Sequence, residues 1–337
     1  MTSKTKFSWF LLVALLAALF ILDLLSGSVK ISVAEAIRAI SSDRGEDIHR
    51  EILLNFRLTK ALTCILAGGS LALAGLQMQT LFRNPLAGPD VLGLSSGASL
   101  AVSILYLGTF DIIKGQSASA SWSIAVAASV GCMAVFLIML LIARKLRDNV
   151  SLLLVGLMIG AATSSVVSLL QYISNADDLQ LYMIWTFGTL GALNWAEIMI
   201  LGIVTLIGAA VAIYNMKALN AWMMGEYYAR SIGINLSRSR VLTIISGGIL
   251  TGAVTAFCGP IAFVGLAVPH LVKLIISTND HKKLIPAVLM GGASLLLFCD
   301  IIAQLPNDII LPVNAITALI GAPVVIWVVI NNKSVKV

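Results

Sequence analysis

Residues 59–81 read TKALTCILAGGSLALAGLQMQTL, a continuous apolar run in which Lys60 is the one charged side chain. A helix needs roughly 20 predominantly apolar residues to cross the hydrocarbon core of a bilayer, and this run meets that requirement. Comparable runs recur along the chain from residue 7 to residue 330. The sequence therefore predicts a protein that crosses the membrane many times as α-helices.

The amino-acid composition supports the same class of fold. Of the 337 residues, 59% are hydrophobic and 11% are charged, whereas soluble domains carry about 25% charged residues. The mean hydropathy is +0.98. A membrane-spanning β-barrel would instead show short segments that alternate between apolar and polar residues. Continuous apolar runs argue against both a water-soluble fold and a barrel, and they indicate an all-α polytopic membrane protein.

Hydropathy predicts about ten transmembrane helices in a single domain that covers residues 1–337. The candidate spans are residues 7–25, 59–81, 91–110, 122–143, 150–172, 195–214, 241–258, 261–277, 284–304 and 312–330. The first run is too long for the apolar core of a signal peptide, so we interpret it as an uncleaved span. Residues 181–193 are apolar but too few to cross the membrane. They predict an interfacial or half-inserted helix that ends at Gly188 and Gly191.

Glycines mark places where the predicted helices approach one another closely. Gly68, Gly75 and Gly292 lie within spans, where small residues let two helix backbones come together. The seventh and eighth spans meet at Gly259 and Pro260. A Gly-Pro pair at membrane depth frees backbone groups that only protein or a water-filled cavity satisfies, so we expect this junction to face the interior of the bundle.

The distribution of basic residues predicts that both termini are cytoplasmic. An even number of spans places both termini on one side, and Lys and Arg concentrate on the cytoplasmic side of membrane proteins. With the N-terminus inside, most of the 22 basic residues lie in cytoplasmic loops and most of the 16 acidic residues lie outside. The net charge of +6 then reflects the topology, and no nucleic-acid partner is predicted.

The sequence offers no cluster suited to catalysis, cofactor binding or metal binding. His49, His270 and His281 are far apart and lack metal-binding spacing, so we expect them to form hydrogen bonds near helix ends. Asp300 lies within a late span without a basic residue close by in sequence, and we interpret it as a structural hydrogen-bonding group. No Gly-x-x-x-x-Gly-Lys-Ser/Thr motif occurs, so any dependence on ATP must come from a partner.

Two alternatives to a subunit driven by a partner ATPase remain open from the residues alone. A secondary transporter driven by an ion gradient is expected to carry ionisable residues near the middle of the membrane, and Asp300 is the single candidate. A membrane-embedded hydrolase or metal enzyme would need clustered histidines or cysteines, or paired acids, and the absence of these patterns speaks against it.

The longest connection on the predicted cytoplasmic side, at about residues 215–240, has the features of a docking element. Its centre reads MGEYYARSIGIN at residues 224–235, which predicts a short helical turn between Gly225 and Gly233. A plain connector does not need aromatic and apolar side chains on its solvent side. This loop is therefore predicted to contact another protein.

This loop and several further motifs resemble the FecCD-type permeases, the membrane subunits of ABC importers for iron siderophores, haem and vitamin B12. The motifs are RNPLAGP at residues 83–89, GPIAFVGL at 259–266, PH at 269–270, DH at 280–281 and TALIGAP at 317–323. They follow the family's order and cover the chain from Arg57 onward. The resemblance implies the type II ABC importer permease fold in a bacterial cytoplasmic membrane, and a transport subunit that is not itself an enzyme.

The resemblance also implies partners and contact residues. A second permease subunit, identical or a sister chain, would enclose the translocation path, and two ATPase subunits carrying ATP and Mg²⁺ would dock on the cytoplasmic side. The residues implied to contact the ATPase are Gly225, Glu226, Ala229, Arg230, Gly233, Ile234 and Asn235. Arg57 and Lys60 match the basic pair that meets an extracytoplasmic binding protein. The implied cytoplasmic gate consists of Asn84, Pro85, Leu86, Asp148, Asn149 and Val150.

The sequence departs from the family pattern in two places. An Arg-Leu-Pro-Arg motif is usual where this chain has Arg57-Leu58-Thr59-Lys60, so docking is expected to be weaker or differently aimed. Gln304, Ile310 and Asn314 stand where a basic residue, an acid and a glycine are usual. A sister chain that supplies the missing charges would explain these changes. A ferric siderophore is the first choice of cargo, with haem and cobalamin as alternatives.

Overall fold

The computed structural model describes residues 3–27, 48–108, 120–146, 149–306 and 311–331, together with residues 29, 31 and 35. Regular structure in these residues is helical throughout, and they contain no strand. The helices are α1 (Ser3–Leu25), α2 (Ile48–Phe82), α3 (Leu94–Leu107), α4 (Ala120–Lys145), α5 (Asn149–Ile173), α6 (Ala176–Thr186), α7 (Trp195–Tyr214), α8 (Met216–Met224), α9 (Glu226–Ser231), α10 (Leu236–Cys258), α11 (Val264–Ile276), α12 (His281–Ala303) and α13 (Val313–Asn331). A π-helical turn, Ile52–Arg57, lies within α2, and a 3₁₀ turn, Pro89–Leu92, precedes α3.

The predicted spans correspond to helices of the structure. Within the described residues, seven helices are long and apolar enough to cross a membrane, and these are α1, α2, α4, α5, α7, α10 and α12. Three shorter apolar helices, α3, α11 and α13, account for the remaining three predicted spans. The prediction of an all-α polytopic membrane protein is confirmed.

Several predicted boundaries differ from the structure, and the two clearest errors come from polar residues inside helices. Helix α2 begins at Ile48 and not at residue 59, because the polar residues before Thr59 lower the hydropathy without ending the helix. The segment predicted at 181–193 is a helix at Ala176–Thr186 followed by irregular chain. Asp177 and Asp178 occupy its first turn, where acidic side chains favour a helix N-terminus although they make the segment less apolar.

Helix α2 forms the centre of the bundle and packs against α7, α10, α11 and α12. At two points on α2 the backbone of a neighbouring helix comes so close that there is no room for a side chain. A Cβ added at Gly68 would overlap the backbone carbonyl of Gly292 on α12, and one added at Gly75 would overlap that of Gly265 on α11. Small residues let these helices approach closely, as the sequence predicts.

The junction between α10 and α11 is held by protein on both sides. The carbonyl of Cys258 accepts a hydrogen bond from Thr189 N at 2.8 Å, and Ala262 N donates to Asn314 Oδ1 at 3.1 Å. Gly259 has φ 75°, and a Cβ there would meet the Trp185 carbonyl at 2.7 Å. The expectation that this Gly-Pro junction lies inside the bundle is confirmed.

Helix α2 runs between two ends of the bundle that carry different polar groups. We call them the Lys60 end and the Phe82 end, after residues near the two ends of α2. Thr80 brings the start of α12 to the Phe82 end, because its Oγ1 lies 3.0 Å from His281 Nε2. Lys60 brings the last turn of α12 to the other end through an ion pair with Asp300.

Candidate functional site

The coupling segment, which we define as residues 225–235, is a short helix between two glycine turns. Helix α9 follows Gly225, with φ 110°, and precedes Gly233, with φ 81°. A Cβ added at either glycine would meet no atom within 4 Å, so glycine serves backbone conformation at these positions and not close packing. The predicted short helix between two glycine breaks is confirmed.

Helix α9 has one face on the protein and one face in solvent. Ala229 is completely buried, and its carbonyl accepts a hydrogen bond from Ile234 N at 3.0 Å. Tyr227 is 92% exposed. Glu226 and Arg230 form an exposed ion pair at 4.0 Å, a type of contact that contributes little to stability. The segment therefore exposes aromatic side chains on one face, while its other face packs against the protein.

Both flanks of the coupling segment are anchored in the bundle. Trp222 on α8 is completely buried and donates from Nε1 to Ser239 Oγ at 3.0 Å. On the other side, Asn235 caps α10, since its Oδ1 accepts a hydrogen bond from Arg238 N at 3.0 Å. Side-chain caps of this kind fix where a helix begins. A displacement of α9 would therefore also displace α8 and α10.

A polar network joins α8 to the core at the Phe82 end. Asn220 Nδ2 donates to Asp280 Oδ1 at 2.9 Å, and Asn220 Oδ1 accepts from His281 N at 2.9 Å and from His281 Nδ1 at 2.7 Å. The buried His281 ring reaches Thr80 of α2 on its other side. The backbone N–H of Lys282 and the amide of Asn220 lower the pKa of the Asp280 carboxyl, which keeps this cap ionised.

Most residues of the predicted gate converge on the Phe82 end of α2. Asn149 is buried and donates from Nδ2 to the Leu81 carbonyl at 2.7 Å. Asn84 Oδ1 accepts from Leu86 N at 2.9 Å, and the Pro85 carbonyl lies 2.8 Å from His270 Nε2. Leu86 and Val150 are exposed. Asp148 lies outside the described residues.

Arg57 and Lys60, predicted to meet a binding protein, point into the protein in this structure. Arg57 is 5% exposed and donates to the carbonyls of Leu24, at 2.8 Å, and Val29. Lys60 Nζ lies 2.9 Å from Asp300 Oδ2. Asp300 has no basic residue close by in sequence, but the helix bundle brings Lys60 to it from α2. The docking role itself stays a prediction.

Serine hydroxyl groups surround a recess of about 380 Å³ between α3, α5, α6 and the junction after α10. The hydroxyl-bearing and acidic residues that line it are Asp90, Ser95, Ser96, Ser99, Ser164, Ser168 and Tyr182. Ser164 and Ser168 are exposed on α5, a helix whose most apolar stretch is only 17% buried. An acidic side chain in lipid is costly, so this polar recess is suited to water, protein or cargo.

Comparison with known proteins agrees with this architecture. The model of the FecCD transport family matches residues 15–331. The chain belongs to the FecCD transport family. The hemin transport system permease HmuU of Yersinia pestis is 33% identical over 95% of each chain. The vitamin B12 import system permease BtuC of Klebsiella pneumoniae is 34% identical over 82% of each chain. A solved ABC transporter of the metal-chelate type, in an inward-facing conformation, has a TM-score of 0.83 at 26% identity and covers 96% of this chain, which covers 98% of it.

The chain is a FecCD-type ABC importer permease, and two residues at which it departs from the family pattern have structural roles. Asn314 uses its side chain to accept the hydrogen bond from Ala262 N, a contact that glycine lacks. Gln304 donates from Nε2 to Asp300 Oδ2 at 2.5 Å. Ile310 lies outside the described residues. The Asp280-His281 motif was the only sequence signal for the polar network, and Asn220 and Thr80 carried none.

Proposed function

We propose that this permease moves a ferric siderophore across the bacterial cytoplasmic membrane, driven by two ATPase subunits that act on the coupling segment. The observation that carries the proposal is the geometry of α9. A helix with Tyr227 fully in solvent and Ala229 fully buried is suited to transmit a push from a docked protein. Because the chain has no P-loop, ATP and Mg²⁺ belong to that partner.

A second permease subunit, identical or a sister chain, would cover the exposed face of α5. This face combines exposed apolar residues such as Val166 and Leu169 with Ser164 and Ser168. Small residues favour close helix contacts within membranes. A partner here would place the serine-lined recess at the subunit interface, where a cargo would pass.

The recess favours an oxygen-rich cargo. Serine and tyrosine hydroxyls exchange hydrogen bonds with carbonyl, catechol or hydroxamate oxygens of a chelate. A flat porphyrin buries apolar surface and makes little use of such groups. The similarity to HmuU and BtuC keeps haem and cobalamin as alternatives, which the same experiment distinguishes.

Docking of an extracytoplasmic binding protein at Arg57 and Lys60 would require an exchange of partners. Lys60 would have to leave Asp300 for an acidic group of the binding protein. This requirement agrees with the expectation of weaker docking from the altered basic motif. The orientation that the basic residues favour, with both termini cytoplasmic, puts this end of the bundle outside and the coupling segment inside.

Purification from the native membrane in mild detergent tests the proposal. We expect an ATP-binding subunit and a permease partner to co-purify, with ATPase activity that vanadate inhibits. Proteoliposomes containing this complex and its binding protein should then import a ferric siderophore in preference to haem or cobalamin. Preferred import of haem or cobalamin would correct the cargo, and a chain that reproducibly purifies alone would contradict the ATPase coupling.

A further inference from the structure

The Lys60 end contains a group of ionisable side chains in which the two buried aspartates have no role of their own in the transport proposal. Asp23 of α1 is completely buried, and Asp300 of α12 is 3% exposed. A carboxylate oxygen of each aspartate and Cys64 Sγ lie within 4.8 Å of one another. Lys60 Nζ is 2.9 Å from Asp300 Oδ2. Ionisable groups this deep in a membrane protein are costly and require a specific arrangement to persist.

The charges of this group do not balance if both aspartates are ionised. Two carboxylates contact one ammonium, that of Lys60. The positive charge of Arg57 also acts on Asp23, but its guanidinium donates its hydrogen bonds to the carbonyls of Leu24 and Val29. Among the described residues, the thiols Cys64 and Cys299 also lie near the pair. A proton on one carboxyl would leave the groups in direct contact, the two aspartates and Lys60, without net charge, which a buried site of low polarity strongly favours.

The hydrogen bonds indicate which of the two aspartates carries that proton. Asp300 Oδ2 is contacted by Lys60 Nζ and accepts a hydrogen bond from Gln304 Nε2 at 2.5 Å. Asp23 Oδ1 receives only a longer contact from Gln304, at 3.4 Å. Asp23 Oδ2 is buried and has no hydrogen-bond partner among the described residues, although a carboxylate oxygen of Asp300 lies within 4.8 Å of one of Asp23. A buried acceptor without a donor is costly.

We propose that Asp23 and Asp300 form a proton-binding site, in which Asp23 holds one proton and shares it with the Asp300 carboxylate that Lys60 neutralises. A proton converts Asp23 Oδ2 from an orphaned acceptor into a donor. Two carboxyl groups at this separation with one proton between them form a familiar coupled pair. The proposal concerns the chain itself and holds whichever cargo is carried.

The arrangement favours a proton over a metal ion. Lys60 Nζ and Gln304 Nε2 both contact Asp300 Oδ2, so this oxygen is already engaged by two donors. An ammonium group beside a metal would add repulsion between two cations. A proton needs no additional ligands and fits between the two carboxyl groups.

A cavity provides a route for the proton. It has a volume of about 380 Å³ and is lined by the exposed Phe56, by Arg57, and by Lys60 and Gln304, the two side chains that contact Asp300. The proton would therefore exchange with the aqueous phase at the Lys60 end. Removal of the proton at alkaline pH would leave an unbalanced negative charge between α1, α2 and α12.

Infrared difference spectroscopy on the purified full-length protein tests the site directly. The wild-type spectrum minus that of Asp23→Asn should show a carboxylic acid C=O band at neutral pH that moves in heavy water. The matched control, Asp177→Asn, removes an exposed acid. Its own spectrum should keep that band, so the wild-type spectrum minus that of the control should not show it. A spectrum in which Asp23→Asn removes only carboxylate bands would overturn the proposal, as would a stoichiometric bound metal that this variant loses.

Thermal unfolding adds a test that depends on which aspartate carries the proton. Asp23→Asn mimics the protonated group and should shift the unfolding temperature little, whereas Asp300→Asn removes the carboxylate that pairs with the partly buried Lys60 and should lower it clearly. The double variant Asp300→Asn with Lys60→Met should recover much of that loss, which keeps the test valid if the single variant fails to fold. Equal losses for the two single variants, or no recovery, would contradict the assignment.

Discussion

At the scale of single residues, Tyr227 and Ala229 give the two faces of α9 separate roles. Tyr227 is 92% exposed and therefore contributes little to the fold, and the proposal assigns its ring to the contact with the ATPase. We expect Tyr227→Ala to leave stability unchanged and to weaken ATPase binding roughly tenfold, the scale of a tyrosine hot spot. Co-purification yield and the affinity for the ATPase measure the effect. Tyr172→Ala, at a side chain that is 89% exposed on α5, is the control and should leave ATPase affinity unchanged.

Gly233 tests whether the shape of the coupling segment matters. Its φ of 81° costs an L-amino acid roughly 1–2 kcal/mol, although there is room for the side chain. Gly233→Ala should therefore preserve membrane assembly and raise the ATP hydrolysed per molecule imported. Gly202→Ala lies in the regular helix α7 and serves as the control. Unchanged coupling in Gly233→Ala would show that this turn is not needed.

Individual charged residues were the hardest to place from the sequence. Charge pattern and family motifs identified Arg57 and Lys60, but both side chains point inward. Their partners come from α12 and from the chain around α1, which are distant in sequence. Hydropathy and spacing carry no information on such contacts, because they are decided by how helices pack in three dimensions.

At the scale of helices, the Asn220 network links α8 to α2 and α12. Asn220→Ala would remove one hydrogen-bond partner from Asp280 and one from the buried His281 ring, at a cost of about 1–3 kcal/mol. We expect a lower unfolding temperature and a lower ratio of import to ATP hydrolysis in proteoliposomes. Asn175→Ala, at a helix start where the side chain forms no capping bond, should change neither. Full coupling in Asn220→Ala would exclude a role of this network in transmission.

Two neighbouring glycines on α2 make a matched test of helix packing. Gly68→Ala places a methyl group 2.3 Å from the Gly292 carbonyl oxygen, whereas Gly69→Ala meets the side chain and the carbonyl oxygen of Leu289 at 3.3 Å, a tight contact without overlap. Overpacking of a rigid contact typically costs about 1–3 kcal/mol. Gly68→Ala should therefore unfold at a clearly lower temperature than Gly69→Ala in detergent. Equal stability of the two variants would mean that the α2–α12 crossing relaxes easily.

Helix positions were largely predictable, whereas helix ends were not. Bilayer thickness imposes long apolar runs, and each predicted span is a helix in the structure. The first residues of α2 and α6 are polar and still helical, so hydropathy missed them. The family motifs identified Asn84, Pro85, Leu86 and Asn149, which meet around the end of α2. The serine recess carried no sequence signal, since its residues come from separate helices.

At the scale of the whole molecule, the two ends of the bundle differ in chemistry. The Phe82 end combines the coupling segment, the gate residues and the Asn220 network. A movement of α9 would therefore reach α2 and α12 through α8 and Asn220. The Lys60 end holds a buried group of charges and a cavity. Their separation agrees with a subunit that receives ATP-driven work at one end and its cargo at the other.

The most direct test of this account is a photo-crosslinking amino acid placed at Tyr227 in the native membrane. The account predicts that Tyr227 captures an ATP-binding subunit, and that the same group at Tyr172 does not. Capture of no ATP-binding subunit at Tyr227, in membranes where the chain is present and folded, would contradict the central claim that the coupling segment is where ATPase subunits drive transport.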